Sequence, residues 1–264
     1  MIPLRSVTKL QPHEPSDLYP FNVPAINALV RLQFDSPVTF FVGENGSGKS
    51  TLLEGIAAAA NAIVVGAEDI VRDGTLEHAR QLANRLRISW SKKTRRGFFM
   101  RAEDFFNYTK RVNRMNQELR DLESDFETNL KGYGLLLAKS SAKGQRAALT
   151  KRYGDNADGL SHGESFLNLL QTRLVPSGLY LLDEPEGPLS PLRQLSLIAL
   201  IRTMLQQDTQ FIIATHSPIL LAFPGATIFS FDAIPPQVTD YHNLEHVTLT
   251  KAFLNNPQAF LKHI

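Results

Sequence analysis

The chain of 264 residues contains no cysteine. That absence removes disulfide staples, thiol nucleophiles and cysteine-held zinc or iron–sulfur centres together, leaving oxygen and imidazole as ligands for any metal chemistry. Long apolar runs are missing too. No window approaches the roughly 18 consecutive apolar residues of a membrane-crossing helix. The opening MIPLRSVTKLQPHEP has no continuous apolar stretch leading to a small-residue cleavage site, as a secretory leader would. The expectation is a cytoplasmic protein with no membrane insertion. A charge excess is also lacking: 28 basic side chains stand against 26 acidic ones, a formal net charge of +2.

What is present is ordinary globular composition, 43% hydrophobic and 20% charged. A chain of this length buries roughly three quarters of its unfolded surface and needs no staple. No internal repeat divides it, so residues 1–264 are expected to form a single domain. The balanced charge conceals one local cluster, with Arg85, Arg87, Lys92, Lys93, Arg95, Arg96, Arg101, Lys110, Arg111 and Arg114 set against only Glu103 and Asp104. Such a run can attract phosphates or acidic partners, or can simply form a solvated face.

Residues 37–42, PVTFFV, are short, apolar and rich in β-branched and aromatic side chains, the pattern of a buried strand. They run into Gly43-Glu44-Asn45-Gly46-Ser47-Gly48, and a helix is expected from Lys49 to Asn61, with Leu52, Leu53, Ile56 and alanines on its packing side. Further strands are expected at Leu179–Asp183, Phe211–Ala214 and Thr227–Phe231, with a helix from Leu192 to Gln206. Apolar strands alternating with helices predict an α/β fold with a mainly parallel sheet covered on both faces. Ligands collect at the carboxyl ends of such strands. Between about 103 and 170 the texture turns polar, with Val112, Met115, Leu119, Leu122 and Phe126 at helical spacing, which predicts an inserted helical subdomain. Lys139–Arg146 has the composition of a connector. Pro235-Pro236 marks a turn before a last helix around Thr250–Lys262.

The segment Gly43–Ser50 fits G-x-x-x-x-G-K-[ST] in the strand-to-helix setting that gives this motif its meaning. Its glycines let backbone N–H groups curl around a triphosphate, and the helix N-terminus adds positive potential. Gly43, Glu44, Asn45, Gly46, Ser47, Gly48, Lys49, Ser50 and Thr51 are therefore candidate ATP-binding residues. Lys49 reaches for the outer phosphates, and the Ser50 hydroxyl is a candidate Mg²⁺ ligand. The strand ending in Asp183 supplies the second metal candidate, and Glu184 beside it is placed to deprotonate an attacking water. Leu160-Ser161-His162-Gly163-Glu164-Ser165 sets a hydroxyl, a glycine and an acid at a helix start, which can serve as an N-cap or can grip a terminal phosphate.

The order GENGSGKST, LSHGES, LLDEPE and ATHSP resembles the ATP-binding cassette (ABC) ATPases over nearly the whole chain. The wording around each block is similar to their stand-alone branch, the small predicted AAA-family and recombination-associated bacterial ATPases. The resemblance implies a P-loop NTPase of ABC-ATPase type and a homodimer in which two cassettes face head to tail. Ser161, Gly163 and Glu164 would then act on ATP held by the other copy. It also implies that His216 contacts the γ-phosphate, with Thr215 and Ser217 secondary to it, and that Gly187–Ser190 is the loop crossing the dimer interface. The family's Q-loop falls on Gly97–Phe106, where the usual glutamine is missing and Arg101 or Glu103 stands in. His162 replaces a common glycine and Glu164 a common glutamine. Tyr19 and Phe21 lie at about the separation of an adenine-stacking aromatic, although both also suit plain packing. The expected function is Mg²⁺-dependent ATP binding and hydrolysis. The alternatives are the energy-coupling subunit of a membrane transporter and an ATP-controlled nucleic-acid clamp, the partner being nucleic acid or an unidentified protein.

Overall fold

A computed structural model describes residues 2–10, 17–65, 77–129, 131–134, 140–141, 144 and 162–262. Its strands are β1 (Leu4–Lys9), β2 (Arg31–Gln33), β3 (Val38–Val42), β4 (Ile63–Val64), β5 (Leu86–Trp90), β6 (Gly97–Arg101), β7 (Leu179–Asp183), β8 (Gln210–Ala214), β9 (Thr227–Ser230) and β10 (Gln237–Thr239). Seven of them form one sheet in the order β10-β9-β3-β8-β7-β6-β4. All its pairs are parallel except β10 with β9 at the edge. Strands β3, β7 and β8 are buried at every position, which is why they read as unbroken apolar runs.

Alternate side chains feed two cores. Phe40, Tyr180, Leu182, Phe211 and Ile213 belong to one, which also takes Phe166, Leu170, Leu197 and Ile201 from the helices His162–Arg173 and Pro191–Leu205. Phe41, Leu181, Ile212 and Phe99 belong to the other, with Leu52, Leu53 and Ile56 of the helix Lys49–Ala60. The α/β architecture with a mainly parallel sheet between helices is thus present. Asn61 ends the Lys49–Ala60 helix in a left-handed conformation, φ 53°.

Several elements depart from the sequence expectations. A second sheet, β2-β1-β5, is antiparallel and was not among the expected elements: β1 lacks strict alternation and β2 has only three residues. The stretch expected to act as a Q-loop begins as strand β6, hydrogen-bonded between β4 and β7, because Phe98, Phe99 and Met100 are all buried. Gly97 is required at its entry: with φ 119°, a Cβ there would lie 1.8 Å from the Leu179 carbonyl oxygen. A 28-residue helix, Ala102–Asn129, follows directly. Most of the remaining residues of the expected helical insertion, and all of the connector at 139–146 but residues 140, 141 and 144, lie outside the described residues. The last helix is two, Glu245–Asn255 and Pro257–Leu261, broken where Pro257 starts a new first turn. Among the described residues no helix is long and apolar enough to cross a membrane.

Candidate functional site

The parallel register sets the carboxyl ends of three strands side by side, pairing Phe41 with Ala214 and Asp183 with Ala214. The glycine-rich loop leaves β3 at Gly43 and enters the helix at Lys49. Gly46 and Gly48 have φ of 82° and 101°, conformations that side-chain-bearing residues rarely take. At Gly48 a Cβ would also meet Val23 at 2.7 Å. Lys49 is only 4% exposed, and its Nζ donates to the carbonyls of Gly43 and Glu44 at 2.7 and 2.9 Å. Burial lowers its pKa, against the pull of Glu184, Asp183, Asp232 and Glu44. The loop is tied from outside by the Glu44 N–H donating to Asp232 Oδ1 at 2.8 Å. Ser47 Oγ is buried without a hydrogen-bond partner, a donor a phosphate oxygen would satisfy.

Ser50 Oγ lies 3.0 Å from Asp183 Oδ1. The two proposed Mg²⁺ ligands, separated by 133 positions, are therefore already in contact, and a hydroxyl beside a carboxylate is an oxygen donor set suited to Mg²⁺. Asp183 is 7% exposed. Burial, chiefly, pushes its pKa up to about 7; Ser50 opposes the shift, Glu184 and Glu54 add to it, and Arg101 opposes it. A cation arriving here would displace that proton.

Glu184 takes φ 49°, and its N–H donates to the Ala214 carbonyl at 2.9 Å. The turn directs its half-exposed carboxylate toward His216, with Oε1 3.7 Å from Nε2. That Nε2 is buried and has no hydrogen-bond partner. An acid and an imidazole with unused capacity thus meet beyond Asp183, as a water-activating and phosphate-contacting pair requires.

Glu186 ends LLDEPE, and the sequence alone assigns it no role. Its Oε1 accepts the backbone N–H of His216 at 2.7 Å. Burial raises its pKa above the usual carboxylate range. It ties the turn after β7 to the turn after β8. Ser217, in turn, hydrogen-bonds to Gln194 and caps the short helix after it through Ile219 N and Leu220 N. Arg101, in register with Asp183, stands 3.6 Å from Glu54, 3.5 Å from Asp104 and 3.2 Å from Glu103. The base expected near the metal therefore sits in an acidic nest linking β6 to the long helix. The destinations of Glu186 and Arg101 depend on neighbouring strands and left no local signal.

The other expected residues divide. Tyr19 OH is 3.1 Å from Thr51 Oγ1, which puts this aromatic at the first turn of the phosphate-loop helix, whereas Phe21 is covered by the Arg85 guanidinium. Gly163 is buried, and a Cβ on it would meet the Pro188 carbonyl at 3.0 Å. Glu164 forms an ion pair with Arg193. These two residues thus pack on the segment Pro188–Arg193. Ser161 lies outside the described residues, and of His162 only the backbone is described.

A family model described as "AAA domain" matches residues 22–147, just under half of the chain. No curated protein matches it. Solved structures similar to it include cbiO1 from Clostridium perfringens, part of the ABC transporter complex cbiONQ, at 17% identity over 99% of this chain and 100% of that one, TM-score 0.44. A nucleotide-free ATP-binding cassette from an ABC transporter gives 17% identity over 100% and 99%, TM-score 0.45. A dimeric post-hydrolysis state of an ATP-binding cassette bound to ADP and Pi gives 17% over 92% and 100%, TM-score 0.42. At these TM-scores the fold rests on the strand order and register of the chain itself. The matched segment 22–147 contains the whole glycine-rich loop and its helix, so this part of the chain is similar to an AAA domain, and the acids at the end of β7 lie beside it.

Proposed function

We propose that the chain is a cytoplasmic, Mg²⁺-dependent ATPase of the ATP-binding cassette type that works as a head-to-tail homodimer. The observation that carries this reading is the 3.0 Å contact between Ser50 Oγ and Asp183 Oδ1 beneath the glycine-rich loop. Mg²⁺, when bound, neutralises charge on the outer phosphates of ATP. Ser50 and Asp183 are the residues that would hold it. No group of three or more His, Asp or Glu poised to hold a metal occurs among the described residues, so phosphate and water oxygens would complete the shell.

The chain's own groups divide the work. The loop N–H groups from Gly43 to Thr51 cradle the phosphates, and Lys49 exchanges the carbonyls of Gly43 and Glu44 for phosphate oxygens. Glu184 accepts the proton of the attacking water, and His216 donates toward the γ-phosphate through the nitrogen that lacks a partner in the free protein. Ser161, Gly163 and Glu164 of each copy would close the pocket of the other. The position of Gly163 and Glu164 on Pro188–Arg193 supports this, because the segment after Glu184 would then carry the state of one site to the opposite copy.

The test is Glu184→Gln, which keeps shape and hydrogen bonding but removes the base. ATP binding should persist, turnover should fall ~10²–10⁴-fold, and size-exclusion chromatography with Mg-ATP should show a trapped dimer. Unchanged turnover would overturn the assignment of the base, and a monomer at saturating ATP would overturn the shared pocket.

A further inference from the structure

The basic run between Arg85 and Arg114 does not form one surface. Arg85 lies over Phe21, Arg101 is enclosed by Glu54, Asp104 and Glu103, and Arg114 pairs with Glu118. Four cations converge elsewhere. Lys92, Lys93, Arg95 and Arg96, with Pro3, Thr94, Ser177 and Asp208, line a cleft of about 380 Å³.

This cleft sits at the amino ends of the strands. Its residues immediately precede β6, β7 and β8, whereas the ATP site follows the carboxyl ends of β3, β7 and β8. Five-residue strands separate the two by roughly 15 Å, so nothing seated in the cleft touches the nucleotide. The walls are fixed by hydrogen bonds. Thr94 Oγ1 donates to the Ser177 carbonyl at 2.9 Å, Arg96 N–H to Thr94 Oγ1 at 3.0 Å, and Leu179 N–H to the Arg96 carbonyl at 3.0 Å. Arg96 also reaches the Pro176 carbonyl at 3.3 Å.

We propose that this cleft binds the phosphate backbone of a nucleic acid. Lys92, Lys93 and Arg95 are exposed and enter none of the ion pairs among the described residues; Lys92 acts in part on Asp208, whereas the charge of Lys93 and Arg95 is available to a ligand. One acid, Asp208, faces four bases in the lining, which selects an anion. Two guanidinium groups can each grip a phosphate through two parallel hydrogen bonds, and the lysines add point charges. Among the described residues no aromatic ring lines the cleft, so they offer no stacking platform and should be indifferent to base identity. The site is independent of the ATPase reading and would persist if that reading failed.

The experiment is fluorescence anisotropy of a labelled 20-base-pair DNA duplex with the full chain across a KCl series, with ATP turnover and thermal melting measured on the same samples. Up to four phosphates neutralised predicts a log–log salt slope of roughly −3 to −4. Lys93→Glu/Arg95→Glu should weaken binding at least tenfold and flatten the slope by about 2, leaving melting and ATP turnover unchanged. Arg95→Lys should retain most affinity. Arg202→Glu, on the exposed face of the Pro191–Leu205 helix, should change nothing. Unaltered duplex binding in the double variant would overturn the proposal. So would binding of inorganic polyphosphate without the duplex, which would identify a free-anion site. Loss of turnover in Glu184→Gln with duplex binding intact would separate the two readings.

Discussion

The two ends of the parallel sheet handle charge in opposite ways. At the carboxyl ends, Lys49 and Asp183 are almost wholly buried and hydrogen-bonded to the loop carbonyls and to Ser50. At the amino ends, Lys92, Lys93 and Arg95 stand in solvent. A buried charge is costly unless its partners are fixed in advance, and the same fixed partners give electrostatic leverage on a reacting phosphate. An exposed charge costs little to maintain and contributes attraction that salt screens. The contrast teaches that sequence charge does not locate chemistry; burial with prearranged partners does.

The change that breaks the comparison most completely is Lys49→Ala. It removes the only buried cation of the loop and leaves the carbonyls of Gly43 and Glu44 without their donor. Mg-ATP affinity should drop at least ~100-fold and turnover should become undetectable, whereas the amino-end cleft should keep its salt-dependent duplex binding. Titration calorimetry and phosphate release check the first part, anisotropy the second. Retained ATP binding would mean that the loop N–H groups suffice without the lysine.

How far these features could be read in advance follows the same division. Glycine, lysine and serine at Gly43–Ser50 are dictated position by position by what a phosphate cradle needs, so loop, strand and helix were legible together. Strands β3, β7 and β8 were legible because burial on both faces makes them apolar at all but Thr39, Asp183 and Gln210. Strands β1 and β2 were not: the burial of β1 follows no strict alternation, and β2 spans three residues; β5 does alternate from Leu86 to Trp90, a signal the surrounding basic run obscures. Their pairing is decided by partners distant in sequence. The division of the basic run was only partly visible: Glu103 and Asp104 follow Arg101 in sequence, whereas Glu54 reaches it from the phosphate-loop helix.

Glu186 sharpens the comparison, because it uses a buried carboxylate to hold backbone rather than ligand. Replacing it by alanine strands the His216 N–H that it accepts at 2.7 Å. An unmet buried donor costs about 1–3 kcal/mol, and the segment carrying His216 should shift to find water. Glu186→Ala should therefore lower kcat roughly tenfold with little change in KM for ATP, since the phosphate loop is untouched. Glu186→Gln keeps the accepting oxygen and should restore most of the rate. A gain in KM with kcat unchanged would indicate instead that Glu186 supports nucleotide binding.

The smallest effect lies in the stability of the nucleotide-free protein. An unfolded aspartate titrates near 3.9, whereas burial raises folded Asp183 to about 7. Between these values the folded chain holds a proton that the unfolded chain releases, so stability is fully present below about pH 4 and is lost as pH rises through about 7. Glu186, also raised by burial, adds to the same trend. Asp183→Asn keeps an oxygen for Ser50 and removes the ionisation. Its urea unfolding free energy should fall less than the wild type's between pH 4.5 and 7.5, by roughly 3 kcal/mol. Saturating Mg-ATP should erase the difference in the wild type, because a bound cation favours the ionised carboxylate that burial alone opposes. Equal slopes for the two proteins would place the proton elsewhere and remove Asp183 from the set of groups whose cost the ligand relieves.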